Sequence, residues 1–573
     1  MAAAAPTATG WLRGPTSDLF FGTGLSYVPF FVAFAFAGSM VQTVAPYALL
    51  PIAALLTATP HYGATLLRVY ESPTDRRRYA VFSVGVTALV WALFVAGVYD
   101  VTIGSWILTV YFTWSPWHYT GQNYGIALMF LGRRGVRIGG RTKRLLYASF
   151  LLSFVLTFLA VHVEQAATVY APLEVGNVAY TFLPLGIPAA WAGPMLGVCF
   201  LGYVVTTLAA FGALARQAGL RALGPALAVA FSQALWFVVP IVMRGSQLGE
   251  SIAPLASANG EYVFVWISFA HSLQYLWITA AYAKRTSEYP GGLRYYGRSL
   301  IAGSAIWGLP IVLFLPSALG THAFDAGLYA LVAASVNLHH FVLDGAVWKL
   351  RDGRIARALL GSGGEHGNVE TRRSLRWLGV AFLVFGGGYA LVNLAAMLET
   401  GWSVPRAFER GDRARLETAA RRLHWIGRDS KDTFLQIANL ASSAGDVAGA
   451  RAAVSRSLAI TSSAIGYVNL GILDAGEGRL GSAQVAFERA LVLEPGMLEA
   501  TYRLGLLQWR RGNRLESLRL LEDAAQRAPE RADIRATLEN ARAGGGSAPA
   551  DAVRRAPGAA PSLARPRAGP QRP

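Results

Sequence analysis

Cysteine is almost absent from this sequence. The one cysteine, Cys199, lies inside an apolar run, which excludes an internal disulfide framework and a cysteine-based metal centre. Charge is also scarce: 15% of the 573 residues are charged and 53% are hydrophobic, whereas a soluble domain carries about 25% charged residues. The sequence has no dinucleotide or flavin fingerprint, so any reductant must come from a partner. We therefore expect most of the chain to lie in a lipid bilayer.

Acidic residues are outnumbered by basic ones, 33 to 51, which gives a formal net charge of +18. Much of the positive charge lies in short connections between apolar runs, and more lies in the C-terminal region. This distribution is typical of the loops of a membrane protein. We expect contact with the bilayer and no nucleic-acid partner.

Eleven apolar runs are candidates for bilayer-spanning helices, each of which needs about 20 mostly apolar residues. The sequence predicts an all-α, polytopic membrane bundle over 18–398, after an N-terminal tail at 1–17. The predicted spans are 18–36, 41–67, 80–98, 102–131, 145–163, 181–214, 224–243, 262–283, 299–317, 326–348 and 375–396. Prolines interrupt the fourth and sixth runs, which we expect to be kinked or re-entrant: Pro116, and Pro184, Pro188 and Pro194.

Basic and acidic residues alternate between successive connections. Arginine- and lysine-rich connections follow the even-numbered spans, whereas the other connections carry mainly aspartate and glutamate, such as Asp100 and Glu250. The positive-inside rule places the N-terminus and the basic connections in the cytoplasm. With eleven spans, everything after about Glu399 lies outside the cytoplasm. We expect a multi-pass protein of the inner membrane, with its first apolar run retained as a helix.

The stretch from Asn337 to Asp344 puts two adjacent histidines and an aspartate in a predicted span, where such groups are costly in hydrocarbon. On a helix Asn337, His340 and Asp344 share one face, while His339 is rotated by about 100°. Inward-pointing groups of this kind build metal sites in helical bundles. A polar contact between helices, or an aspartate neutralised by a nearby Lys or Arg, explains this stretch equally well.

Five histidines lie at similar depth in the cytoplasmic halves of their predicted helices, about 10–22 Å from the following basic residues at 1.5 Å per residue. They are His61, His118, His271, His339 and His340. Unrelated structural histidines would scatter between the two leaflets. We predict that the five line one metal site, with Asp344 as a ligand or a base. This nitrogen and oxygen set suits iron, and less exclusively zinc, copper or manganese.

Polar residues beside these histidines are candidates for the outer hydrogen-bond partners that orient metal-ligating imidazoles. They are Gln122 and Asn123 near His118, Gln274 and Tyr275 near His271, and Asn337 near His340. Ordinary hydrogen bonding between helices, worth about 0.6–2 kcal/mol each, is the other interpretation. The sequence does not separate the two.

The order of these motifs resembles that of the integral-membrane bacterial β-carotene 15,15′-dioxygenase family, over about residues 40–350. That family shows a Pro-His-Gly turn, a His-Phe-Gly-Gln type motif, a His-Ser-x-x-His type motif and a late histidine. The corresponding stretches here are 60–63, 118–122, 271–275 and His339 or His340. Tyr275 stands where the family pattern has a further histidine, and Tyr62 interrupts the first motif. The resemblance implies iron-dependent oxygen chemistry, and Asp344 and Tyr275 are our candidate catalytic residues.

Three classes of function are considered. The first is a non-haem iron oxidoreductase acting on an apolar lipid or isoprenoid that enters from the bilayer. The second is a haem or copper redox protein, because His271 followed by Tyr275 and a later histidine pair resembles the copper-binding pattern of haem–copper oxidases. The third is a non-enzymatic membrane scaffold or transporter.

After Trp402 the composition becomes rich in arginine, alanine and glutamate, and a pattern recurs at an interval of 34 residues. Gly471, Ala490 and Pro495 recur as Gly505, Ala524 and Pro529. This is the tetratricopeptide (TPR) pattern, in which small residues let two helices pack closely. We predict a TPR α-solenoid over 404–543 that binds a protein partner, with a capping helix pair at 404–430. The composition of 544–573 predicts disorder.

Overall fold

The computed structural model describes residues 10–37, 50–70, 78–163, 180–256, 259–286, 291–314, 329–348, 359–360, 376–460 and 462–543. Within these ranges the regular secondary structure is helical, apart from one isolated bridge between Val163 and Ile187. The predicted all-α class is confirmed for this part of the chain. The predicted disordered tail at 544–573 and the first nine residues lie outside it.

The chain divides into two compact units, the first ending at Leu394 and the second beginning at Ala395. The longer helices that begin in the first unit are α1 Tyr27–Ala37, α2 Leu50–Tyr70, α3 Thr87–Tyr99, α4 Val101–Arg133, α5 Gly140–Val161, α6 Ala189–Ala218, α7 Leu220–Phe237, α8 Gly260–Thr286, α9 Gly292–Phe314, α10 Tyr329–Val347 and α11 Arg376–Leu398. Each predicted span corresponds to one of these helices. The sixth is shorter than predicted, because its helix begins only after Pro188.

Seven of the described helical stretches are long and apolar enough to cross a membrane: Val81–Tyr99, Gly140–Val161, Ala189–Ala218, Leu220–Met243, Val263–Arg285, Ala330–Val347 and Gly379–Glu409. An eighth is added if Pro15–Gly22 and Tyr27–Phe36, which meet at 63°, form one broken span. Helices α2, α4 and α9 are not among them. In α2 and α4, proline, glycine and polar side chains lower the mean hydropathy. The number of eleven spans stays a prediction.

Helices α2 and α9 pack with their backbones in contact. A Cβ atom added to Gly63 would lie 1.7 Å from the carbonyl oxygen of Ser299, and one added to Gly303 would lie 1.8 Å from that of Thr59. Small residues of this kind allow membrane helices to approach closely. The contact fixes α2 beside α9 at the level of its central histidine.

Proline inside α2 is accommodated by a neighbouring side chain. Pro60 has no N–H to donate to the carbonyl of Leu56, one turn earlier in the helix. The hydroxyl of Tyr296, on α9, donates to that carbonyl instead. Helix α2 therefore continues through Pro60. Helix α4 is also continuous through Pro116, where the sequence predicted a kink or a re-entrant segment.

The second unit consists of short helices joined by tight turns. They are α12 Val404–Glu409, α13 Arg413–Trp425, α14 Lys431–Ser443, α15 Val447–Ile460, α16 Ala464–Gly476, α17 Leu480–Leu493, α18 Leu498–Arg510, α19 Arg514–Arg527 and α20 Ala532–Arg542. Consecutive helices form hairpins, α14 with α15, α16 with α17, and α18 with α19. Glycines with positive φ stand in the turns of four successive hairpins: Gly411, Gly445, Gly478 and Gly512. The first of these turns, at Gly411, joins α12 to α13 in the stretch where a capping pair was expected.

Small residues lie at the closest helix contacts inside these hairpins. A Cβ atom added to Gly471 would lie 2.5 Å from the Phe487 ring, and one added to Gly505 would lie 3.1 Å from Leu521. The Ser517 hydroxyl donates to the Gly505 carbonyl at 2.9 Å. The repeated small residues of the sequence therefore let the two helices of each hairpin pack closely.

Candidate metal centre

Four histidines from four different helices meet inside the first unit. His61 lies on α2, His118 on α4, His271 on α8 and His340 on α10. One nitrogen of each ring lies within 4.8 Å of one nitrogen of every other ring. The His61 ring centroid is 4.1 Å from that of His340 and 5.0 Å from that of His271, and His118 is 5.1 and 5.0 Å from the same two rings. We call these four residues the histidine cluster.

Ring nitrogens of all four histidines lack a hydrogen-bond partner among the described residues. They are Nε2 of His61, His118 and His340, and both nitrogens of His271. A buried polar atom without a partner costs about 1–3 kcal/mol, so the arrangement is unfavourable unless a ligand binds these nitrogens. Nitrogens on opposite sides of one transition-metal ion are about 4 Å apart. The cluster therefore suits a metal ion in its chemistry, and nitrogens that lie within 4.8 Å of one another need to move inward by less than about 1 Å to bind a single ion.

Asp344 lies beside the cluster, one helical turn after His340. Its Oδ2 atom is 3.4 Å from Nε2 of His340 and 3.9 Å from Nε2 of His118. Its Oδ1 atom accepts hydrogen bonds from the hydroxyl groups of Tyr275, at 2.5 Å, and Thr65, at 3.0 Å. Two hydroxyl groups thus hold one carboxylate oxygen, and the other oxygen is nearest the cluster.

Thr65 connects this carboxylate to the cluster, and sequence reasoning did not single it out. Its Oγ1 atom is 2.9 Å from Nδ1 of His340. Thr65 has one hydroxyl hydrogen, which it donates to Oδ1 of Asp344. Its oxygen is then left to accept the Nδ1–H of His340. Nε2 of His340 then carries the lone pair that a metal ligand needs. Thr65 follows His61 by four residues on the same helical face, and this spacing is the signal that could have identified it.

Three further residues, to which the sequence assigned no role at the site, complete the surroundings. The Tyr119 ring stacks on His271 with centroids 3.9 Å apart. The Ser272 hydroxyl is 3.4 Å from Nδ1 of His61. The indole N–H of Trp348 donates to the Tyr275 hydroxyl oxygen at 3.0 Å, which fixes the phenol beside Asp344. These contacts orient the rings without occupying the free nitrogens.

The structure does not bring His339 into the cluster. Its Nε2 atom is 2.9 Å from the Thr87 hydroxyl, and its ring is 6.0 Å from that of Trp91. Both neighbours belong to α3. Successive residues on a helix are rotated by about 100°, so His339 and His340 contact different helices. Of the five histidines predicted to line one site, four do so.

The four predicted amide partners bond to other groups instead of the histidine rings. Gln122 donates to Gln274 at 2.6 Å, and Gln274 donates to Asn123 at 2.9 Å. Asn123 in turn donates to Gln233 on α7 at 2.8 Å, while Asn337 accepts a hydrogen bond from Tyr62 at 3.0 Å. Gln122 and Gln274 lie about one turn after His118 and His271, so α4 and α8 form an amide layer next to the imidazole layer. This geometry favours the interpretation as hydrogen bonding between helices.

His118 is the least buried of the four histidines. His61, His271 and His340 are buried, whereas the His118 side chain is 8% exposed. Trp114, one turn earlier on α4, is 37% exposed, and Gly121, one turn later, is exposed with no atom within 4 Å of a Cβ added there. The Phe341 ring stacks on His118 with centroids 4.4 Å apart. His118 is therefore flanked by aromatic rings and a glycine along an exposed face of α4.

Comparisons with known proteins were made for the whole chain. They find no matching family model, no matching curated protein and no matching solved structure. Function is therefore inferred from the histidine cluster, from Asp344 with its two hydroxyl donors, and from the surroundings of His118.

Proposed function

We propose that this chain is a multi-pass membrane oxidoreductase with a non-haem iron centre, acting on an apolar lipid or isoprenoid. The single observation that carries the proposal is the convergence of four histidines, each with at least one buried ring nitrogen that has no hydrogen-bond partner among the described residues. Such an arrangement is costly without a ligand. A bound cation satisfies all four rings at once.

The donor set supports iron. His61, His118, His271 and His340 would hold the ion through imidazole nitrogen, and Asp344 offers a carboxylate oxygen at the same place. Imidazole with carboxylate suits iron, zinc and manganese better than copper(I), which prefers sulfur ligands. Bound iron would supply the redox chemistry that activates O2.

The chain's own residues have three tasks in this proposal. Thr65 holds the tautomer of His340 and, with Tyr275, the orientation of Asp344. Asp344 accepts or returns protons at Oδ2, the oxygen that no hydroxyl occupies. The buried aromatic rings around the cluster exclude water from three sides.

The surroundings of His118 support an apolar substrate. The Trp114 and Phe341 rings lie beside it, on the outer face of a long helix of the proposed membrane unit. A molecule dissolved in the bilayer reaches this face without crossing water. Aromatic carbon dominates this face, and the indole N–H of Trp114 is the hydrogen-bond donor beside His118 itself.

Helix lengths support eleven spans. Helices α2, α4 and α9 contain 21, 33 and 23 residues, and about 20 residues are enough to cross the hydrocarbon core. Their polar residues occur where other helices cover them: α2 contacts α8, α9 and α10, and α4 contacts α3, α5, α7 and α10. With eleven spans the second unit lies outside the cytoplasm of an inner-membrane protein. Its repeated hairpins are proposed to be TPR repeats that recruit a protein partner.

Metal analysis of the purified full-length protein tests the proposal. About one iron per chain, with no Soret band, is the expected result. A Soret band or stoichiometric copper would favour a haem or copper redox protein. Absence of any bound metal, after growth in iron-replete medium and reconstitution with ferrous iron, would favour a scaffold or transporter and contradict the metal centre.

A further inference from the structure

The second unit contains a cleft of about 570 Å³ that the proposed function does not use. It lies between the continuation of α11 and helix α13. Leu398 and Glu399 contribute to one wall, and Thr418, Arg421 and Trp425 contribute to the other. The cleft therefore has an apolar part and a part with hydroxyl and guanidinium groups.

The charge in the cleft is positive. The one carboxylate, Glu399, is neutralised by Arg422, whose Nη1 atom is 2.9 Å from Oε1. Arg421 donates from Nη2 to the Thr418 hydroxyl at 2.9 Å and forms no ion pair among the described residues. Its guanidinium group therefore keeps donors for an anion. Planar, multidentate guanidinium donors match the oxygens of a phosphate.

Trp425, which lines the cleft, and Trp402, which precedes the cleft residue Ser403, are strongly exposed. Trp425 is 88% exposed and Trp402 is 59% exposed. The Arg406 guanidinium lies 3.1 Å from the Trp402 ring centroid. Tryptophan is enriched at both membrane interfaces because its indole ring is amphipathic, and a basic side chain near the surface is attracted to anionic headgroups.

The position of the cleft along the chain agrees with an interfacial depth. Four of its nine lining residues belong to Gly379–Glu409, the last described helical stretch that is apolar and long enough to cross a membrane. About 20 residues counted from Gly379 are enough to cross the hydrocarbon core, which would end near Leu398 and leave Ser403 at the headgroups. A lipid at this depth would present its phosphate to Arg421 and its glycerol and upper acyl carbons to Leu398 and Trp425.

We propose that this cleft binds the headgroup of an anionic phospholipid. The inference rests on the span Gly379–Glu409 but on neither the metal centre nor the side of the membrane. The lipid would fix the first hairpin of the second unit to the bilayer surface. Arg421 provides the charge selectivity and Trp425 the apolar contact.

Lipid binding by the full-length protein in detergent tests the proposal. The probe is phosphatidylglycerol, compared with phosphatidylcholine of the same acyl chains, and the readout is the number and affinity of retained lipids by native mass spectrometry. Arg421→Gln should weaken the tightest phosphatidylglycerol site by about fivefold, the contribution of one basic residue near an anionic surface. Trp425→Ala should weaken both lipids, because it removes apolar contact and not charge.

Arg489→Gln is the matched control, since Arg489 is an exposed arginine on α17, outside the cleft. It should leave phosphatidylglycerol affinity unchanged, and Arg421→Lys should retain most of it. Inorganic phosphate at the same concentration should not displace the lipid. An equal affinity for phosphatidylcholine, an equal loss in Arg489→Gln, or full displacement by phosphate would overturn the proposal. Metal content serves as a separate readout and should be unaffected by all of these variants.

Discussion

His340 is the residue at which the local contacts of the candidate centre converge. Its Nδ1 atom meets Thr65, its Nε2 atom is close to Asp344, and its ring is adjacent to those of His61 and His118. The preceding residue, His339, has the same chemistry and similar burial but contacts Thr87 and Trp91. Two neighbouring histidines therefore form a natural matched pair for mutagenesis.

His340→Ala is expected to abolish metal retention, because it removes one of four ligands and leaves a cavity beside Asp344. The loss should exceed the about 10–100-fold that removal of an outer hydrogen-bond partner costs. His339→Ala should keep full metal content and lose only one hydrogen bond between helices, about 0.6–2 kcal/mol. Iron per chain after purification is the measurement. His162→Ala, at a ring bonded to Thr113, is a second control, and equal metal loss in all three variants would contradict the site.

Thr65→Val is expected to lower metal affinity by about 10–100-fold while keeping the size of the side chain. The physical reason is that valine cannot accept the Nδ1–H of His340 or donate to Asp344, so neither group is held in the form described above. Chelator competition against the purified protein measures this affinity. Thr65→Ser should restore most of it, because serine keeps the hydroxyl. Unchanged affinity in Thr65→Val would show that packing alone holds the ring.

At the scale of helices, the contact of α2 with α9 determines where His61 lies. Gly63→Ala adds one methyl group that would overlap the Ser299 carbonyl, and neither backbone can yield without moving a helix. We expect destabilisation of about 1–3 kcal/mol, as for other overpacked cores, together with reduced metal content. Thermal unfolding in detergent, followed by circular dichroism, gives the first readout and metal analysis the second. Gly85→Ala, where the added atom meets nothing within 4 Å, should change neither.

The sequence reveals some parts of the candidate site and not others, because each sequence pattern reports a different structural quantity. Apolar runs locate helices, and a shared depth in the membrane identified His61, His118, His271 and His340, since depth follows from position along a helix. The sequence does not show how each helix is rotated about its axis, and so it does not show which face packs against the rest of the bundle. His339 was therefore grouped with His340 although it contacts α3.

Threonine gives a second example of this limit. In membrane helices a threonine hydroxyl commonly bonds to the carbonyl one turn earlier, as Thr57 does with Ala53 and Thr109 with Ser105. Thr65 bonds instead across helices, and only its spacing of four residues from His61 distinguishes it from the others. The second unit differs, because its turns follow a repeat that is visible in the sequence. The glycines of the turns recur at nearly constant spacing, so the hairpin at Gly411 was recognisable in the sequence.

At the scale of the whole molecule, the candidate metal centre and the repeated hairpins make different demands on the chain. The centre needs buried polar groups, which lower the hydropathy of α2 and α4, the helices that carry His61 and His118. The second unit is rich in charged residues. If all eleven predicted spans cross the bilayer, hydropathy alone undercounts them in the part of the chain where chemistry is proposed. The number of spans in turn decides the side on which the second unit lies.

Eleven spans with a cytoplasmic N-terminus put the second unit outside the cytoplasm, and its many arginines do not oppose this, because long domains translocate largely regardless of charge. A cysteine introduced at the exposed Ser482, in a Cys199→Ala background, should react with a membrane-impermeant maleimide in intact spheroplasts. A cysteine at Tyr99, the last residue of α3, should react as well. One at the exposed Arg141, in the first turn of α5 and next to the basic connection, should react only after permeabilisation. Labelling at Arg141 and Tyr99 as expected, with Ser482 protected, would mean that one helix after α4 does not cross. Helix α9 would then be the first to test, because of the three helices α2, α4 and α9 it alone follows α4.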